Sequence, residues 1–551
     1  MNQKNDRKTR TTTDKVEYAS LGHLGYLYEV AEWYKTGRYS CVKDEAKSEE
    51  YLNAARIGLE SEKIYFDELE LINFKGITST QTRINLDPNL NVFVGVNGSG
   101  KTSIIDSIVK VTSWLVYGIR NNANGKSIEI NEINNHPNNK DCFIKAKLCI
   151  GDKSDFNIEL FKSKNKSTRL KSELAEFKNI SEAYSYFNDV DYDNFPLPLF
   201  AHYSVSRALD IKDEHGKRDS EEIVFQNKLD GYANFSESNH NFKKLLEWLT
   251  QHDLVNKEDV VKKTEFTVVT AEYNTTKKIY DSLTQDLKAH ADVGKPLEKK
   301  LIELRKQIEL LMPSQDNDDD EVRAVKDAIY AFMDIKNIRV EVTKESISIL
   351  MEKNNITISA MDLSQGEKAL FALVSDITRR LILLNPNKDF DARNGFGIVT
   401  IDEIDLHLHP KWQQDIVLQL TKVFPNIQFI LTTHSPQVIS TIPNYCVKVL
   451  NSDDDGKLRI SEPEFSLGSE SKMILEDIFL VDSRPSNVEE VKKLGRYKEL
   501  IRADNWDTEE AERLELELAK WAGEHDPVMK QLKMDVRLRK RRRGTAFNEK
   551  N

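Results

Sequence analysis

The sequence predicts an α/β fold. An open sheet carries a phosphate-binding loop, a helical insertion splits that sheet domain, and helical segments stand before and after it. Three observations lead there. Short β-branched runs alternate with helix-length segments; one run, Asn91-Val92-Phe93-Val94, feeds a Gly-rich loop and a helix; another, Ile398-Val399-Thr400-Ile401, ends in two carboxylates.

The bulk composition bounds the answer. A chain of 551 residues exceeds one ordinary core, so two or three units are expected. Hydrophobic residues make up 39% and charged residues 31%, as in a protein with long exposed helices. No apolar run approaches a membrane span, and MNQKNDRKTRTTTDK lacks an apolar signal core, so a cytoplasmic protein without a membrane is expected. Cys41, Cys142, Cys149 and Cys446 show neither metal-ligand spacing nor a disulfide framework. A net charge of −11 excludes a surface coated throughout for nucleic acid, though not a local basic patch.

Along the chain, residues 1–15 are polar and read as disordered, and 16–60 as a helical pair turning near Gly37. Residues 61–235 hold strands at Ile64–Phe74, Cys142–Ile150, Phe156–Phe161 and PLPLFAHYSV, with a helix from Ser103 to Val116. Residues 236–320 are rich in Lys, Glu, Leu and Gln, and read as a helical insertion, a candidate short coiled-coil arm, closed by the acidic linker PSQDNDDD. Strands resume in 321–463, at Ile338–Val342, Ile347–Met351 and Ile356–Ala360, and lead to GIVTIDE, a helix over Pro410–Val423, and IQFILTTHS. Residues 464–551 read as a charged helical tail with a basic end.

Gly95-Val96-Asn97-Gly98-Ser99-Gly100-Lys101-Thr102 matches G-x-x-x-x-G-K-[ST] between a buried strand and a helix, the context that motif requires. Its glycines let backbone N–H groups point inward around a β-phosphate at a helix N-terminus. Lys101 would bridge β- and γ-phosphates and Thr102 would ligate Mg²⁺, making ATP and Mg²⁺ the expected cofactors. The candidate nucleotide-binding residues are Gly95, Asn97, Gly98, Ser99, Gly100, Lys101, Thr102 and Ser103. The competing account is a turn that only joins strand to helix.

Asp402 and Glu403 end a buried strand, where ligands collect in an open α/β sheet. Asp402 is the second candidate metal ligand, and Glu403 the group that would polarise an attacking water. Two solvated acids before a helix are the bland alternative. Upstream stands Leu363-Ser364-Gln365-Gly366-Glu367, with Ser364 and Glu367 at the spacing of a capping box. A serine hydroxyl and free helix N–H groups also make an anion site.

The order of these motifs resembles that of ABC-type ATPases, whose LSxGE signature precedes the acidic strand. The resemblance implies a homodimer or higher oligomer in which Ser364 and Gly366 clasp the γ-phosphate held by the other copy. His434, in TTHSP after the run Ile427–Leu431, resembles the switch histidine, and Asp405 the residue that signals across the dimer. The run DEIDLHLHP is similar to the bacterial branch that joins overcoming-lysogenization ATPases with RecF- and SMC-like proteins. Phe200, Tyr203 and Arg207 resemble a strand of that branch, and Gln226 is a weak match to the Q-loop glutamine. His407 and His409 invite a metal reading, with orientation of the helix at Pro410 as the alternative.

Ser364 follows Lys101 by 263 positions. That long helical insertion, and a tail containing GEHDPVMKQL, resemble the ATPase subunit of Septu-type antiphage systems. Ala31, Tyr34, Gly37, Val42, Asp44, Lys47, Tyr51 and Ala55 resemble one Sel1-like repeat, with Ser48 at a normally small apolar position, which points to the retron-associated form. The resemblance implies a partner HNH endonuclease and a reverse transcriptase with its RNA–DNA product. No nuclease site is read in the chain, Asp453-Asp454-Asp455 being a turn. Two other readings stay open: a RecF- or SMC-like repair ATPase that binds DNA directly, and a nucleotide-dependent scaffold with little turnover. Residues 530–543, with eight basic residues and one acid, are a candidate nucleic-acid contact or a solvated helix end.

Overall fold

A computed structural model describes residues 11–39, 41–61, 63–79, 83–121, 125–165, 167–205, 227–236, 248–249, 269–283, 294–311, 318–342, 347–387, 391–452, 457–522 and 525–548. Arg207, Gln226 and Asp453–Asp455 lie outside them, as does most of the insertion. The chain divides into two units, Met1–Gly468 and Ser469–Asn551.

The first unit is built on two main sheets. One is antiparallel, in the order β2 (Ile77–Ser79), β1 (Ile64–Phe74), β5 (Asp141–Ile150), β6 (Ser154–Ser163), with β3 (Ile84–Asn85) also paired to β1. β1 alternates buried and half-buried residues, and a register shift between Phe66 and Glu68 moves the phase by one. The other sheet runs β14 (Leu458–Ser461), β13 (Val447–Ser452), β4 (Leu90–Gly95), β12 (Ile427–Thr432), β11 (Gly397–Ile401), β7 (Leu199–Tyr203). Its strands pair in parallel except for β14. Every residue of β4, β7, β11 and β12 is buried, as expected of a parallel sheet covered on both faces. A third, antiparallel sheet joins β8 (Lys336–Val342), β9 (Ile347–Lys353) and β10 (Ile356–Ser359).

The register decides where chemistry gathers. Ile401 pairs with both Leu431 and Tyr203, and Thr432 with Phe93, so the C-terminal ends of β4, β7, β11 and β12 open on one edge. That edge is where ligands bind in open α/β sheets.

Three expectations change. Residues 11–15 are ordered: Thr12–Ser20 is a helix, begun by a reciprocal capping box between Thr11 and Asp14. The linker ends early, because Asp318–Met333 is one helix. Val322, Val325, Ile329 and Phe332 give it a buried face. The first unit also extends past residue 463: buried Ser466 donates to the Ile442 carbonyl at 2.6 Å, and the Gly468 amide to that of Ser440 at 2.7 Å.

The front helices Leu24–Thr36 and Glu45–Ser61 turn at Gly37, whose left-handed φ of 68° favours glycine. Ser48 is buried and donates to the Ala31 carbonyl at 2.9 Å, which is why a hydroxyl is tolerated at a small-residue position. The pair lies against the head. Leu24 donates its amide to Ser154 Oγ at 3.0 Å, His23 Nε2 meets the Asp155 carbonyl at 3.1 Å, and Arg56 pairs with Asp191 at 2.5 Å.

The second unit has its own core. Leu494, Tyr497 and Ile501 from helix Glu489–Arg502, Leu514 and Leu518 from Glu509–Trp521, and Met529, Leu532 and Val536 from Pro527–Asn548 pack with Trp506. Among the described residues, no helix is long and apolar enough to cross a membrane.

Candidate functional site

β4 delivers Gly95 to the loop, and the helix Lys101–Ile119 carries it away. A Cβ on Gly95 would lie 2.6 Å from the Leu450 carbonyl and 2.7 Å from Ser99 Oγ, so only glycine lets the loop pass there. Gly98 and Gly100 hold φ of 82° and 100°, which other residues adopt only with strain. Val96, Asn97 and Gly98 are exposed, Ser99 is buried, Ser103 half-buried. Lys101 is buried at 7% exposure, and its Nζ donates to the Gly95 and Val96 carbonyls at 2.9 and 3.1 Å. Burial lowers its pKa, against the opposing pull of Asp402, Glu403 and Asp405.

The edge of the sheet joins the distant motifs. Thr102 Oγ1 donates to Asp402 Oδ2 at 3.1 Å. The Thr432 hydroxyl donates to Asp402 Oδ1 and accepts the Glu403 amide at 2.8 Å. Glu403 itself sits at φ 48°, a conformation that costs a non-glycine residue of the order of 1 kcal/mol and recurs at functional sites. The Asp402 amide donates to the Tyr203 carbonyl at 2.9 Å.

Next to it, the Thr433 hydroxyl donates to Asp405 Oδ1 at 2.6 Å and the His434 amide to the same oxygen at 3.4 Å. Burial, then the positive charge of Lys101, push the His434 pKa below the usual 6.5, so the ring favours its neutral form. Ser435 donates to Gln413 Oε1 at 2.7 Å, while Gln413 Nε2 donates to the Leu408 carbonyl at 2.9 Å, tying the two loops together.

Ser364 is exposed and caps the helix Gln365–Leu384, with its hydroxyl and the Glu367 amide 3.4 Å apart and its own amide 3.2 Å from Glu367 Oε2. Burial raises the Glu367 pKa, but Lys353 and Ser364 outweigh it and hold the carboxyl lower than usual. Gly366 is buried, and a Cβ there would lie 2.6 Å from the His407 carbonyl. His409 caps the helix Pro410–Val423, its Nδ1 accepting the Lys411 amide at 3.3 Å. Among the described residues, no group of three or more His, Cys, Asp or Glu is placed to hold a metal.

The structure thus brings Lys101, Thr102, Asp402, Glu403, Asp405 and His434 to one edge, whereas the hydrogen bonds of Ser364 stay within its own helix. Sequence reasoning passed over Thr432, Thr433, Gln413 and Asp376. Only the position of Thr432 and Thr433, directly before His434, marked two of them. Asp376 Oδ2 accepts the Tyr203 hydroxyl at 3.0 Å and Arg380 Nε at 2.6 Å. Arg380, buried, reaches on to the Gly231 and Ala233 carbonyls at 2.8 and 2.9 Å.

A Gly-rich loop with a buried lysine, and a threonine joined to an aspartate at the end of a parallel strand, define a P-loop ATPase. Residues 90–440 match the family described as "AAA domain, putative AbiEii toxin, Type IV TA system". The retron Vc95 probable ATPase of Vibrio cholerae serotype O1 biovar El Tor is 33% identical over 451 residues, 80% of this chain and 84% of that one. The retron Ec83 probable ATPase of Escherichia coli is 28% identical over 536 residues, 96% of each. The Septu protein PtuA of Bacillus mycoides (strain KBAB4) is 42% identical over 101 residues, 18% of this chain and 14% of that one. An SMC head domain from Thermotoga maritima aligns with 73% of this chain and 99% of its own at a TM-score of 0.35 and 13% identity. The chain belongs to this AAA-domain family and is a relative of the retron probable ATPases.

Proposed function

We propose that this ATPase binds ATP with Mg²⁺ in the loop Gly95–Ser103, and that a second copy of the chain completes the site through Ser364 and Gly366. Opening and closing of that dimer, or of a higher oligomer, controls a partner HNH endonuclease in antiphage defence of the retron or Septu kind. Kinship with retron ATPases extends the partners to a reverse transcriptase and its RNA–DNA product.

The observation that carries the reading is the contact of Thr102 with Asp402, a hydroxyl and a carboxylate that together suit a small hard cation keeping most of its waters. Mg²⁺ held there would neutralise phosphate charge. Lys101 Nζ rests on two neutral carbonyls, which phosphate oxygens would replace with stronger charge-assisted bonds. Among the described residues, Ser99 Oγ is buried with no hydrogen-bond partner inside the same loop, a donor that a phosphate would satisfy. Glu403, held by Thr432, polarises the attacking water. Neutral His434 would act as the γ-phosphate sensor, and Asp405 fixes the loop that carries it. The exposed Ser364 caps a helix start that offers a second anion site toward another copy.

The Glu403→Gln protein tests the chemistry: it should bind ATP as wild type does and cease to turn it over. Unchanged hydrolysis would remove Glu403 from its role. Lys101→Ala should abolish ATP binding. The partner assignment is checked by co-purification with the products of neighbouring genes, where absence of an HNH protein would overturn it.

A further inference from the structure

We propose that the last helix of the tail unit, Pro527–Asn548, docks the phosphate backbone of a nucleic acid. This inference stands apart from the nucleotide site. The helix carries eight basic residues and one acid, in a chain of net charge −11. Its neighbour Glu509–Trp521 carries five glutamates, so the unit segregates its charge by helix.

Two of these cations hold the unit together. Arg539 Nη1 donates to Asp504 at 2.8 Å, and Lys540 lies 5.6 Å over the Trp506 ring. Both therefore serve the tail core. Met529, Leu532 and Val536 face that core. Lys530, Arg537 and Arg541 recur at i, i+7 and i+11, on the side of the helix away from those three, and all are exposed, as is Arg542. Among the described residues, no ion pair engages the side chains of Lys530 or Arg537. The helix dipole does not account for this row, because Lys530 lies near the N-terminus, where a cation is disfavoured. A row of cations with steps of about 10 Å and about 6 Å along a helix axis spans several phosphates, and each neutralised phosphate releases counterions.

The full chain is titrated with single-stranded RNA, single-stranded DNA and duplex DNA at several salt concentrations, beside vesicles containing phosphatidylserine. The variant replaces Lys530, Arg537, Arg541 and Arg542 by Ser and keeps Arg539 and Lys540. Wild type should bind at least one nucleic acid, and the variant should bind it at least tenfold more weakly. The slope of log affinity on log salt should flatten by about 0.7 to 0.9 for each phosphate that the variant no longer neutralises. ATP hydrolysis should be unchanged. Failure of wild type to bind any of the three, equal slopes for the two proteins, or binding to vesicles alone would each overturn the assignment. If the fourfold variant loses helical circular dichroism, Arg537→Glu decides: weaker, less salt-dependent binding is expected, and wild-type behaviour would refute it.

Discussion

The amide of Asp402 donates to the carbonyl of Tyr203 at 2.9 Å, joining the acidic strand to its neighbour. The Tyr203 hydroxyl donates in turn to Asp376, on the helix that begins with the signature. Tyr203 is fully buried, so both ends of it are fixed. Asp402 and the signature helix therefore share one rigid strut.

Removing the Tyr203 hydroxyl should loosen that strut. Tyr203→Phe leaves the Asp376–Arg380 ion pair and the strand in place, and costs about 1.5 to 3 kcal/mol, since the hydroxyl donates to a charged carboxylate. ATP affinity should stay near wild type, while the Mg²⁺ concentration for half-maximal hydrolysis rises. A melting shift with no change in Mg²⁺ dependence would make Tyr203 a core residue only.

The proposed composite site predicts complementation. Lys101→Ala protein lacks the phosphate cation, and Ser364→Arg protein blocks the helix start it would offer its neighbour. Mixed, the two should regain one intact site in each heterodimer and recover hydrolysis that neither shows alone. No recovery, with heterodimers demonstrated by mass photometry, would place Ser364 outside the site.

The depressed His434 pKa sets a pH dependence. Burial and Lys101 disfavour the imidazolium, so the folded protein keeps the ring neutral as pH falls below the usual 6.5. The unfolded chain takes up its proton first. Stability attributable to His434 is therefore present above about pH 6.5 and is lost as pH falls through the lower folded value. His434→Gln should flatten that stretch of the melting-temperature profile, and NMR titration of the ring should give a midpoint under 6.5.

The front helices belong to the head mechanically. A Cβ on Gly25 would lie 2.6 Å from the Phe156 ring in β6. Gly25→Val should push the helix off the sheet and destabilise the protein by about 1 to 3 kcal/mol, as overpacking does. Differential scanning calorimetry should show the loss in the head transition. A wild-type melting profile would mean that the helix and β6 separate without cost.

The sequence by itself determined the local chemistry of this protein. The phosphate loop, the acidic strand end and the signature helix start could be read because each depends on near neighbours: glycines for left-handed turns, a hydroxyl for a cap, β-branched residues for a buried strand. The strand β1 and the helix Pro410–Val423 were legible for the same reason. Only the tertiary structure decided which partners meet. Thr102 and Asp402 are 300 positions apart, and the register of β4, β12 and β11 is what brings them together. Tyr203 and Asp376 are joined by packing that no periodicity records. The same holds for Arg539 and Lys540: equal members of a basic run in the sequence, they are set apart from Arg537 by Asp504 and Trp506, because burial and charge pairing are properties of the folded unit and not of the run.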